Sequence, residues 1–496
     1  MSSAKEPVTR RFGNGLTVLI KEDKSHPVVS LQYWVGTGSM NEGHWQGSGL
    51  SHLLEHLVFK GTAHFSGQEL ARKVQERGGH WNAYTSVNRT VYYIDGPAES
   101  WQIFLNLLTE LVFFPTFPED EMEREKEEVR REMAMYADDP DSVAYQLLMQ
   151  TLYLKHPRRW PVLGERAAFD CLTRQDVLDY HASRYVPNNV VLSIAGDVDA
   201  AEILSHLELL VEDLKSRPLN REPIPHEPHQ FGSRRVRKEF AVPYSKLHLA
   251  WRLPCSAHPD TPALSALSSI LGGGRSARFY EKFHDRLGLV YSIEVHSNQS
   301  ETDEGAFTIS MDVDRAQRDK VRDLVLQELR NLAEEDFTED LKRVCKQTRV
   351  SRLRRRSSAS GVASEMGADW FGSRNLNLSS EWQEAIERVT TEDLHRVCST
   401  WLSSPNVTEV SLDPPGSNAG DEERASASAG TALSEHVLGN GMKVVIREDH
   451  RLPLAYACMA FKAGCRAENE HDAGVTDLMS ECLLKLSLIH ISEPTR

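Results

Sequence analysis

Gly47-Ser48-Gly49-Leu50-Ser51-His52-Leu53-Leu54-Glu55-His56-Leu57-Val58 is the stretch on which the reading of this chain turns. His52 and His56 stand four apart, so on a helix their imidazoles share one face and can converge on a single metal ion. Glu55, three residues after His52 and one before His56, shares that face yet can stay off the metal, near enough to take a proton from a metal-bound water. A Lewis acid, a water of lowered pKa and a general base are what hydrolysis of a peptide bond requires. The Gly/Ser entry followed by closely spaced Leu50, Leu53, Leu54, Leu57 and Val58 reads as a buried helix entered by a turn. Histidines and a glutamate on a buried helix need partners, because an unpaired buried charge is expensive. A metal would supply one.

An open tetrahedral zinc site wants three protein ligands, and the motif offers two. The acid-rich run from Glu119 to Tyr136 is the place to look for the third. Interleaved acids and bases usually form a solvated helix face, but Glu121, Glu125, Glu128 and Glu132 fall at i, i+4, i+7 and i+11 on one stripe. Four acids in a stripe repel one another unless something positive faces them. Spacing alone leaves all four open as the ligand.

The order His-x-x-Glu-His inverts the more frequent His-Glu-x-x-His of zinc proteases, and the chain resembles the pitrilysin or insulinase family of zinc metallopeptidases, which includes the mitochondrial processing peptidases. Four stretches carry the resemblance besides the motif: Glu123-Arg124-Glu125 with Arg131-Glu132, Asn82-Ala83-Tyr84-Thr85 with Thr90-Val91-Tyr92-Tyr93, His156-Pro157 with Pro161 and Gly164, and Tyr185-Val186-Pro187-Asn188-Asn189 leading to Gly196-Asp197. It implies that Glu132, 80 positions after His52, is the third ligand of one zinc ion per chain. It implies also that Glu125 supports the site without binding metal, and that Asn82 and Ala83 hold the backbone of an extended peptide. The family has an Arg and a Tyr seven apart facing the zinc. Here Tyr291 matches the tyrosine while His284 occupies the arginine position, which implies that the second domain does not face the metal.

The expected fold is α+β, in repeated homologous domains, each a mainly antiparallel sheet packed with helices. The chain of 496 residues is too long for one core. The expected limits are a zinc-binding domain at 8–215, a linker at 216–235, a second, inactive homologous domain at 236–414 and a flexible linker at 415–432. From 433 to 485 the pattern begins again. Gly439-Asn440-Gly441 with Val444 and Ile446 repeats Gly13-Asn14-Gly15 with Val18 and Ile20, but Asp477, Ser480 and Glu481 stand where His52, Glu55 and His56 would be. This reads as a truncated third repeat that has lost its metal ligands. Residues 486–496, LSLIHISEPTR, resemble the translation of a transposon-derived sequencing adapter and are set aside.

Bulk properties narrow the partners. A net charge of −15 argues against nucleic acid, and the basic cluster Arg352 to Arg356 continues a helical pattern as a solvated face. No segment has the roughly 18 apolar residues of a membrane span. Seven cysteines without a CxxC pair, and no secretory signal at the start, point to the cytoplasm. The expected activity is a zinc-dependent endopeptidase acting on peptides or unfolded small proteins. Its cleft would be completed by a missing C-terminal half in cis or by a homodimer. A non-catalytic scaffold or substrate-presenting subunit is the alternative.

Overall fold

A computed structural model describes residues 6–219, 223–299, 305–402, 405–416 and 434–446, with residues 475, 476 and 479. Residues up to Ala425 form one compact unit, and those from Ser426 a second. In the first unit, one sheet holds β1 (Val8–Arg11), β2 (Thr17–Glu22), β3 (Val28–Val35), β4 (His80–Thr85), β5 (Thr90–Pro97) and β6 (Val190–Gly196). Their order is β1-β2-β6-β3-β5-β4, antiparallel except where β2 runs parallel to β6. A second sheet holds β7 (Arg234–Glu239), β8 (Ser245–Leu253), β9 (Val290–Asn298), β10 (Gly305–Val313) and β11 (Thr408–Asp413) in the order β7-β11-β8-β10-β9. There the single parallel pair joins β7 to β11, as β2 joins β6 in the first sheet. Apart from the extra β1, the two sheets have one topology, and the α+β expectation holds.

The strand β3 shows why both faces of the first sheet are buried. Leu31, Tyr33 and Val35 point into the main core with Leu50, Leu53 and Leu57 of the motif helix and with the apolar helix Trp101–Phe113. On the opposite face Trp34 packs with Leu19, Val91 and Val191 against Ala363 and Met366, and Gln32 donates to Ser360 O and Ser364 Oγ. Those partners lie on the helix Ala359–Ser373, which belongs to the second half of the sequence. A Cβ on Gly367 would sit 2.3 Å from the Trp34 ring, so only glycine lets helix and sheet approach this closely.

The exchange is reciprocal. Helix Pro140–Leu152, from the first half, lays Leu148, Met149 and Leu152 on Ala250, Ala306 and Val410 of the second sheet. Its Asp141 is paired at 2.6 Å with Lys246. Each sheet thus buries a face against the other half's helix, burial that at roughly 25 cal/mol per Å² of apolar area ties the halves together. The segment 216–235 is tied in as well: the Glu227 carboxylate accepts the backbone N–H groups of Leu154, Lys155 and His156 at 2.7–3.0 Å.

The basic cluster departs from expectation. Arg352 and Arg356, on and just after helix Thr338–Arg355, turn to the buried Glu365 at 2.9 and 2.7 Å instead of lying wholly in solvent. A carboxylate buried on the exchanged helix needs such partners.

In the second unit, β12 (Ser434–Val437) and β13 (Lys443–Ile446) form an antiparallel hairpin. Its turn repeats the bonds of the β1–β2 turn. Leu438 and Met442 bond as Phe12 and Leu16 do, Gly441 N–H reaches Leu438 O as Gly15 N–H reaches Phe12 O, and each turn's Asn accepts the N–H two residues on, at 3.1 Å. Gly15 and Gly441 both hold a positive φ, +92° and +85°. Asp477, Ser480, Glu481 and residues 486–496 lie outside the described residues, as do 417–433.

Candidate metal centre

The motif forms a helix, Leu50–Val58, whose Leu50, Leu53, Leu54, Leu57 and Val58 are buried. Its entry is not loose. Gly49 caps it at φ +73°, and a Cβ there would lie 2.0 Å from Leu163 O. The loop holding Gly164 therefore packs directly on the helix start. Glu42, wholly buried, accepts the Ser51 N–H at 2.8 Å. Burial pushes its carboxyl up to about 8, against hydrogen bonds from Ser51, Gly49 and Gly47. Ser51 Oγ in turn meets Tyr180 Oη at 2.8 Å.

Helix Glu119–Asp138 crosses beside the motif helix, and the structure sorts the four acids of its stripe. Glu121 and Glu128 pair along their own helix with Arg124 and Arg131. Glu125 and Glu132 face the motif. Glu132 Oε2 lies 3.7 Å from His52 Nε2 and 3.8 Å from His56 Nε2, too long for hydrogen bonds. One ligand atom from each of the three residues lies within 4.8 Å of the others, and among the described residues no other group of three or more His, Cys, Asp or Glu is so placed. The three groups converge on a point between them rather than on each other, which is what a cation site demands.

The imidazoles are prepared for that role. Burial, and then the neighbouring His56, push His52 down to about 3, so it stays neutral with a lone pair free. Its Nδ1 has no hydrogen-bond partner among the described residues. For His56, burial acts downward, but Glu125, Glu55 and Glu132 outweigh it and raise its pKa. His56 Nδ1 meets Glu125 Oε2 at 3.2 Å. With that N–H donated, Nε2 keeps its lone pair on the Glu132 side. Glu125 is clamped on its other oxygen by Lys60 Nζ at 2.6 Å. Burial works against its charge, yet the hydrogen bonds from His56 and Lys60 hold its carboxyl below the ordinary value. The donor set, two imidazole nitrogens and a carboxylate, fits zinc.

Glu55 points elsewhere, toward the last residue of β4. Thr85 Oγ1 donates to Glu55 Oε2. Burial raises the Glu55 carboxyl, opposed by Thr85 and by His56, so the group is a better base than an exposed glutamate. Asn82 and Ala83 lie on the same strand, Asn82 exposed with its Oδ1 accepting the Ala83 N–H at 2.9 Å. β4 is an edge of its sheet, paired only with β5. His26, His44, His64 and His80 stay outside the cluster; His64 instead meets Glu110 at 2.7 Å. Thr85, Lys60 and Glu42 were not singled out by sequence. For Thr85 the available signal was its place in the quoted Asn-Ala-Tyr-Thr stretch.

Fold and site together define a two-histidine, one-glutamate centre on a duplicated α+β scaffold, and comparison with known proteins supplies the family. Residues 17–166 match the profile described as Insulinase (Peptidase family M16), and residues 172–347 match that of the Peptidase M16 inactive domain. The chain belongs to this insulinase, or M16, peptidase family. An uncharacterised zinc protease of Rickettsia felis is 27% identical over 406 residues, 79% of this chain and 94% of that protein. One from Mycobacterium tuberculosis is 30% identical over 299 residues, 59% of this chain and 67% of that protein. The crystal structure of a protease from Helicobacter pylori superposes with a TM-score of 0.75 at 26% identity, covering 82% of this chain and all of that one. No helix among the described residues is long and apolar enough to cross a membrane.

Proposed function

We propose that the chain is a zinc-dependent endopeptidase acting on extended peptides or unfolded small proteins. The observation that carries this reading is the convergence of His52, His56 and Glu132 with the half-buried Glu55 beside them. His52, His56 and Glu132 hold the zinc, which supplies a Lewis acid that lowers the pKa of water and polarises a carbonyl. Glu55, aimed by Thr85, takes the proton of the attacking water and returns it to the leaving amine. Glu125, braced by Lys60, fixes the His56 ring. The exposed edge β4, with Asn82 and Ala83, captures the substrate as an added strand, in which main-chain bonds give affinity with little sequence preference. The intact set of four residues speaks against a purely scaffolding role. The test is hydrolysis of an unstructured quenched peptide by the chain, abolished by a chelator and restored by added zinc. Hydrolysis indifferent to chelation would overturn the proposal.

A further inference from the structure

A cavity of about 580 Å³ lies between the end of helix Ala359–Ser373 and strands β2 and β6. It shares no lining residue with the metal centre. Its lining includes Arg11, Arg374, Asn41, Trp370 and Phe371, and no Asp or Glu, in a chain whose net charge is −15. The Arg11 and Arg374 side chains make no hydrogen bond or ion pair among the described residues. Arginine stays protonated in proteins, so two like charges, on residues that also reach water, face one cavity with no acid opposite them. Burial, and then the charge of Arg11, both depress the Arg374 pKa. The Trp370 indole Nε1 is buried and has no acceptor either. The cavity thus gathers two cations and an indole donor, with no acid in its lining.

Backbone geometry adds an independent sign. Arg374 ends the helix at φ +59°, ψ +21°, with its N–H on Trp370 O. That left-handed position favours glycine. A bulky side chain in such a conformation is uncommon, and strain of this kind clusters at functional sites.

We infer that this cavity binds a small molecule carrying an oxyanion, a phosphate or carboxylate, on an apolar or aromatic body, with Arg11 and Arg374 gripping the anion and Trp370 and Phe371 lining the body. Guanidinium groups match both anions in two-pronged geometry, and the volume is that of an ordinary small-molecule pocket. The location, where a helix from one half covers the sheet of the other, would let the ligand tie the two halves together.

The experiment is calorimetric titration of the full chain with phenyl phosphate, benzoate and inorganic phosphate. Phenyl phosphate or benzoate binds, whichever anion the site takes, and more tightly than inorganic phosphate; the stronger arm identifies the anion. R374G and R11Q each weaken that binding by about tenfold or more. R374G relieves the backbone, so its melting temperature stays equal or rises, which separates lost binding from lost fold; R11Q, on an edge strand, is the second guard. Absence of binding by all three probes, or unchanged affinity in both variants, would overturn the inference.

Discussion

The two sheets of the first unit share one topology apart from the extra β1, and they differ in the helix that follows one strand. After the strand β3 comes the helix Leu50–Val58 with its two histidines and glutamate; after its counterpart β8 comes Thr261–Gly272, TPALSALSSILG, without a histidine or an acid. In the second half that helix is simply core, with Ala263, Leu264, Ala266, Leu267, Ile270 and Leu271 buried. In the first half the same place carries half-buried polar groups partnered by a second helix, Glu119–Asp138, and an edge strand, through Glu125, Glu132 and Thr85. One scaffold serves both halves, and the proposed chemistry depends on a handful of side chains present in only one of them.

If chemistry is confined to the first half, substitutions there and in the second half must separate cleanly. The largest effect is expected at Glu55. E55Q keeps the shape and removes the proton acceptor, so peptide hydrolysis falls about 10²- to 10⁴-fold or more while zinc stays bound. H284Q, in the second half, leaves the rate within about twofold, since the His284 side chain bonds only to its neighbours Tyr280 and Asp285 among the described residues. Equal rates for E55Q and the unaltered chain would break the comparison.

A smaller loss is expected at the residue that steadies a ligand. E125Q deprives His56 and Lys60 of their shared carboxylate, and loss of such a supporting partner costs about 10- to 100-fold in metal affinity. Competition against a zinc chelator measures it. An unchanged affinity would reduce Glu125 to a packing residue.

The smallest effect sharpens the role of β4. Thr85 donates to the charged form of Glu55, so removing the hydroxyl raises the Glu55 pKa. The base must be ionised to accept a proton. The acid limb of kcat/KM therefore moves to higher pH in T85A, with a loss of roughly three- to tenfold on the acid side and recovery toward higher pH. T85S retains the hydroxyl and the original profile. A T85A profile that overlays the unaltered one would deny Thr85 this function.

Much of this was legible from sequence, for reasons that residues make plain. Val28–Val35 and Gly305–Val313 are apolar enough to mark strands to the residue. His52 and His56 announce themselves because their spacing is that of a helix turn. Spacing left Glu121, Glu125, Glu128 and Glu132 equal, and only packing of two helices sends Glu125 and Glu132 inward while Arg124 and Arg131 take the other two. The strands β1 (VTRR) and β7 (RRVRKE) carried no strand signal, because outer strands exposed to water are guarded by charge instead of built from apolar alternation. The exchanged helices were hidden for a different reason. Gln32 meets Ser364 across 332 positions, and Glu55 meets Thr85 across 30. Such contacts belong to the fold and leave no periodic trace in the chain.

The central claim is that two helices bring three ligands to one metal. Elemental analysis of the purified chain beside E132Q tests it most directly. The account predicts about one zinc per chain in the unaltered protein and substantial loss in E132Q. Full retention of zinc by E132Q would contradict it and return the third ligand to Glu125 or Glu128.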